Sequence, residues 1–143
     1  MTVAIDPDID KNGVATLVDE KLSLASLRFF ELFDFLSEHK SHVTMVYVEA
    51  SWLLNKTSFR YSKGKGMSEK IGSDVGGNRE TGKKICEMCE YLKIPFTEVK
   101  PLKKIWKGPD RKITHAEFNK QARTSFKRTN QEERDAGLIL ITR

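Results

Sequence analysis

No apolar run in this 143-residue chain approaches the roughly 18 residues of a membrane span, which sets spanning helices aside. The opening MTVAIDPDID has no basic segment before an apolar stretch, so no secretory signal is read and a cytoplasmic setting is expected. Cysteine is scarce. Cys86 and Cys89 form a lone C-x-x-C within a helical pattern; a structural zinc needs two further ligands, and a thioredoxin-like redox motif needs a strand-to-helix turn. Neither is present, so both read as thiols that pack a helix. No internal repeat is visible. With 38% hydrophobic residues the length suits one domain, residues 1–143, with a real core and little room for a second.

Acids are sparse in one place that matters. They dominate the first 40 residues, whereas Lys100, Lys103, Lys104, Lys107, Arg111 and Lys112 crowd one segment beside Trp106. The net charge of +5 and pI of about 9.2 fit a nucleic-acid partner. The basic segment is suited to tracking a phosphate backbone, with a solvated loop as the plain alternative.

Periodicity gives an α/β order. Residues 2–6 and GVATLVD read as strands joined by the Lys11-Asn12-Gly13 turn, Asn-Gly being a strong hairpin signal. Lys21–Leu24 adds a short third strand. Leu27, Phe30, Phe33 and Leu36 recur at helical spacing as a core-facing stripe, and Val43–Glu49 is the fourth strand. From Lys56 to Gly77, Gly, Ser and charge predict a mobile loop. Asn78 then caps a helix with Ile85, Cys89 and Leu92 inward, and IPFTEV is the fifth strand. Thr114 with Glu117 predicts a capped helix through about Phe126, and Asn130 with Glu133 the last helix.

Four acids stand where this pattern leaves a strand or enters a helix. Asp6 and Glu49 each close a β-branched apolar run, and Glu132 and Asp135 share one face in the first turns of the last helix. Carboxylates brought this close repel and take up protons unless divalent cations neutralise them, so a meeting of the four makes a candidate Mg²⁺ site for phosphoryl chemistry. A solubilising helix start is the plain alternative for the last two. A second motif competes: Asp8, Asp10, Asn12, Gly13 and Asp19 nearly match an EF-hand loop. The strand-like TVAI and Pro7 leave no room for an entering helix, so these residues read as a polar hairpin turn. His115, at the first position of a capped helix, reads as a phosphate contact or as surface.

The order of elements and acids resembles the RNase H-like superfamily. Its local wording resembles the RuvC-type Holliday-junction resolvases, of phage or bacterial origin: AIDPDIDKNGVATL their first strand and hairpin, VYVEASW their second acidic strand, GNRETGKKICEMCEYLKIPFTEVKP with WKG their helix, fifth strand and basic loop, and ERDAGLILI their terminal helix. The resemblance implies an RNase H-like fold, a five-stranded mixed sheet flanked by helices, in a bacterial cell or, for a phage-encoded chain, its host. It puts the catalytic and metal-binding tetrad on Asp6, Glu49, Glu132 and Asp135, with Glu132 a longer arm where Asp or His is common. It also implies two Mg²⁺ ions, with Mn²⁺ as substitute, and Trp52 as an aromatic wedge in the junction beside the DNA-binding segment of Lys100, Lys103, Lys104, Lys107, Arg111 and Lys112. Asp8 replaces the family glycine after Pro7. The implied activity is a metal-dependent, structure-selective endodeoxyribonuclease resolving four-way junctions by paired symmetrical nicks. A homodimer is expected, with a face near Met88 and Tyr91. Alternatives are a relaxed fork or flap nuclease of the same fold, a non-catalytic branched-DNA-binding protein, and a calcium-binding module.

Overall fold

The computed structural model describes residues 1–54 and 65–143, and of residues 65–75 the backbone alone. Five strands form one mixed sheet: β1 (Thr2–Asp6), β2 (Asn12–Val18), β3 (Lys21–Leu27), β4 (Met45–Glu49) and β5 (Phe96–Val99). They lie in the order β3-β2-β1-β4-β5, with β2 antiparallel to both β3 and β1, and β1, β4 and β5 parallel. The helices are α1 (Phe29–His39), α2 (Lys65–Leu92), α3 (His115–Ala122) and α4 (Gln131–Ile141).

Side-chain alternation sorts the sheet into two faces. Val3, Ile5, Val14, Val46 and Val48 pack with Leu32 and Leu36 of α1 and Ile85, Met88, Cys89 and Leu92 of α2. The intervening Ala4, Ala15 and Tyr47 pack with Ala136, Ile139 and Leu140 of α4. Alanines on both sides of the second interface let α4 lie close against β1 and β2. Phe118 of α3 fills the gap that Gly137 leaves on α4: a Cβ at Gly137 would stand 2.5 Å from the Phe118 ring.

Several expected boundaries move. Asn12 and Gly13 do not make the hairpin turn, because they already belong to β2. Asn12 is buried, its Oδ1 accepts the Asp8 N–H at 3.0 Å, and its Nδ2 donates to the Leu27 carbonyl. The tight two-residue turn is instead Asp19-Glu20, both at positive φ (47° and 65°), the handedness that matches strand twist. Asp19 is thereby about 20 Å from Asn12 along β2, and the EF-hand spacing encloses nothing.

On α1 the stripe is rotated. Leu27 remains in β3, and Phe30 is 79% exposed, stacked edge-on against Phe29. The helix begins only at Phe29, with Glu31 accepting the Arg28 N–H, so Leu32 and Leu36 carry the buried face.

The loop expected from Lys56 to Gly77 is helical from Lys65 onward; residues 55–64 lie outside the described residues. Asn78 is therefore no cap. It sits inside α2, and its Oδ1 accepts the Ile9 N–H, tying α2 to the β1–β2 loop. Ile85, Cys89 and Leu92 do face inward. α3 stops at Ala122, where Arg123 turns left-handed, four residues before Phe126. Met88, proposed for a dimer face, is buried in the core, whereas Tyr91 is exposed. Among the described residues no helix is long and apolar enough to cross a membrane.

Candidate active site

Alternation decides where the strand acids point. Ala4 and Tyr47 face α4, so Asp6 and Glu49, each two residues further on, belong to the same face. They close adjacent parallel strands at the place where β1 has an antiparallel neighbour on one side and a parallel one on the other. Open α/β sheets leave a crevice at such a switch point.

The first turn of α4 lies beside that crevice. Asn130 Oδ1 accepts the Glu133 N–H at 2.8 Å, and Glu133 Oε2 accepts the Asn130 N–H at 3.1 Å, a complete capping box. Glu133 Oε1 also accepts the Ser26 hydroxyl at 2.9 Å, anchoring the helix to β3. Glu133 is thus spent on structure, while Glu132 and Asp135 face the cavity. Gly13 permits the approach. It pairs with Asp6 across β1 and β2, and a Cβ there would run into the Glu132 backbone carbonyl.

Asp6, Glu49, Glu132 and Asp135 line one cavity of about 160 Å³, together with Asp8, Lys103, Lys104, Trp106 and Lys112. Burial pushes the Asp6 carboxyl well above its ordinary value, and the Glu49 and Asp135 charges push it further, against Lys112. Burial, then Asp135, raises Glu49 to about 7, opposed by Lys112 and Lys104. Lys112 is the counter-charge all four carboxylates share: its Nζ is 3.4 Å from Asp135 Oδ2. Burial works against its ammonium, yet Asp135, Asp6 and Glu132 raise its pKa.

A small hairpin presents this lysine. Trp106 N–H donates to the Arg111 carbonyl and Gly108 N–H to that of Lys112, with Asp110 and Arg111 at positive φ. The basic segment therefore divides: Lys112 reaches Asp135, Lys103 and Lys104 line the cavity, and Lys100, Lys107 and Arg111 are exposed outside the lining.

The donor set is all oxygen and carries more negative charge than Lys112 can balance. It fits a hard divalent cation rather than a soft one. As the side chains stand, no three acidic, histidine or cysteine donors among the described residues enclose one point.

Trp52 lies apart from the tetrad. It occupies a single tight turn (Ser51–Leu53) after β4, half-buried against the α1–α2 core beside Gly82, and its Nε1 donates to Glu98 at 3.3 Å. His115 has both ring nitrogens engaged, Nδ1 with Thr129 Oγ1 at 2.8 Å and Nε2 with Asn119 at 3.2 Å, and is a structural link rather than a phosphate contact. The two cysteines are reduced and buried. Burial raises their thiols to about 12 (Cys86, where Glu98 adds) and about 11 (Cys89), which leaves them inert. Sequence reasoning missed the turn of Lys112 into the acids and the contacts of Gln131. The first depends on left-handed backbone at Asp110 and Arg111; Gly108-Pro109-Asp110 signals a turn but not the direction in which it carries Lys112.

No protein-family model matches the chain, and no curated protein matches its sequence significantly. Among solved structures, Thermus thermophilus RuvC in complex with a Holliday junction substrate superposes with a TM-score of 0.54 at 12% identity, over 99% of this chain and 92% of that one. A further Thermus thermophilus RuvC structure aligns at 14% identity and a TM-score of 0.49, over 99% and 91%. The likeness to the first is one of fold: a five-stranded mixed sheet flanked by helices, RNase H-like in arrangement and RuvC-like in its course.

Proposed function

We propose that the chain is a Mg²⁺-dependent endodeoxyribonuclease that resolves four-way DNA junctions by paired symmetrical nicks, working as a homodimer in the cytoplasm of a bacterium or a phage's host. The observation that carries this reading is the meeting of Asp6, Glu49, Glu132 and Asp135 in one cavity rimmed by Lys103 and Lys104, at the strand ends of a RuvC-like fold. Divalent ions bound by these carboxylates would supply an activated water and stabilise the leaving oxygen of a phosphodiester.

The protein's own part is positional. Asp6 and Glu49 are rigid because their strands are buried on both faces, and α4 brings its two acids to them as one unit. Lys103 and Lys104 offer positive charge to a phosphate at the cavity mouth. Lys100, Lys107 and Arg111 extend that charge along the backbone of the bound DNA. Trp52, three residues beyond Glu49 at the end of β4, is the candidate to stack on an unpaired base at the branch point.

A synthetic four-way junction, a fork, a flap and a matching linear duplex, each incubated with Mg²⁺, Ca²⁺ or EDTA, test the reading. Symmetrical nicks in the junction alone, with Mg²⁺ alone, are expected. Equal cutting of forks and flaps would make it a relaxed branched-DNA nuclease, and junction binding without cutting under any metal would make it a binding protein.

A further inference from the structure

Asp135 is gripped on both oxygens, and only one grip comes from the basic segment. Lys112 holds Oδ2. Oδ1 accepts a hydrogen bond from Gln131 Nε2 at 2.7 Å, one helical turn earlier on α4. The Gln131 amide is itself fixed, because its Oε1 accepts from Arg134 Nη2 at 3.1 Å. Arginine only donates, so the amide nitrogen must be the end that faces Asp135.

Arg134 in turn cannot swing. Its Nε donates to the Ile113 carbonyl at 3.1 Å, and its Nη1 donates to the Thr129 carbonyl at 2.8 Å and the Thr129 hydroxyl at 3.0 Å. That hydroxyl also meets His115, so the start of α3 and the start of α4 are locked through one guanidinium. A planar fork with its donors fixed by main-chain carbonyls is a stiff support.

We propose that Gln131 is a positioning residue for Asp135: braced by Arg134, it clamps Oδ1 and leaves Oδ2, the oxygen facing Lys112, to turn to a divalent cation. The inference rests on the metal-dependent reading above. Partners that orient a metal-binding carboxylate typically contribute 10–100-fold in metal affinity. Neither Gln131 nor Arg134 belongs to the tetrad, and both stand beside Glu132 and Asp135 on the same two turns of helix.

The test is calorimetric titration of Mn²⁺ into DNA-free wild type, Gln131→Met and Gln131→Asn, with Asp6→Asn alongside and thermal midpoints recorded. Met keeps the bulk and removes the amide; Asn keeps the amide and shortens its reach by one methylene. Both should weaken Mn²⁺ binding about 10–100-fold, and should raise in proportion the Mg²⁺ needed for half-maximal junction cutting. Their melting should stay near wild type. Unchanged Mn²⁺ affinity in both folded variants, with wild type binding and Asp6→Asn not binding, overturns the positioning role alone. Wild type that binds no Mn²⁺ overturns the metal reading, and this inference with it.

Discussion

Helices α3 and α4 start with the same device and deliver different things. Thr114 with Glu117, and Asn130 with Glu133, are both complete capping boxes, and in each the glutamate at the third helical position accepts the N-cap residue's N–H. Glu117 also accepts the Lys107 N–H, so it closes the basic hairpin as well as capping its helix. α3 packs through Phe118 onto α4 and never reaches the strand ends. α4 lies across β1, β2 and β3, and its first turn abuts Gly13, so the acids flanking its capping glutamate line the same cavity as Asp6 and Glu49. A capped helix start becomes a site only where the sheet gives it room, and here one absent side chain gives it.

The largest effect expected follows from filling that room. Gly13→Val places side-chain atoms where the Glu132 carbonyl stands, and neither neighbour is a flexible side chain that can yield. Overpacking of this kind costs about 1–3 kcal/mol or more. Junction cutting should disappear, and the thermal midpoint should fall. Gly137→Ala, which meets only the Phe118 ring and a leucine tip, should lower the midpoint while cutting persists.

Next in size is pH dependence, where the two glutamates shift in opposite directions. Glu49 is raised from 4.5 to about 7, so the metal-free folded state holds its proton more tightly than the unfolded chain does. Its contribution to stability is present below about pH 4.5 and lost as pH rises through about 7. Burial pushes Glu117 upward, but hydrogen bonds from Thr114 and Lys107 win and lower it, so its contribution is present above the ordinary glutamate range and lost in acid. Denaturant titrations of metal-free protein should show stability falling between pH 5 and 7, a slope that Glu49→Gln reduces, the raised Asp6 carboxyl carrying the rest, and that saturating Mg²⁺ at pH 8 offsets. An undiminished slope in Glu49→Gln would assign it to other groups.

Removing each cap gives the smallest change. Thr114→Ala and Asn130→Ala should each cost about 1 kcal/mol, read from denaturant midpoints. Only Asn130→Ala should also slow junction cutting, because only α4 carries site acids in its first turn. Equal slowing by both would mean that the two helix starts act as one unit.

Much of this was legible in the sequence, for identifiable reasons. That the four acids would share one cavity was legible because each stands at a strong local pattern: Asp6 and Glu49 end β-branched runs, and Glu132 and Asp135 lie in or just after a capping box. Period-two alternation even carries the face on which Asp6 and Glu49 sit, two residues beyond Ala4 and Tyr47. Other features needed tertiary contacts. The early start of α2 runs through Gly and Ser that propensity assigns to a loop. The rotation of α1 was hidden because phenylalanines stand on several sides of the helix, and only the start at Phe29 selects Leu32 and Leu36. Lys112 read as one of six like cations, and only the fold of Trp106–Lys112 turns it inward.

The central claim is that the four acids act as one centre, and Asp6→Asn tests it most directly. The substitution replaces a buried carboxyl, one that burial holds well above its ordinary pKa, by a neutral amide without removing any positive charge. Cutting of a synthetic four-way junction in Mg²⁺, and binding of the same junction in Ca²⁺, should be measured side by side. The account predicts that cutting is abolished while junction affinity stays within a few-fold of wild type. Cutting that survives in Asp6→Asn would contradict it.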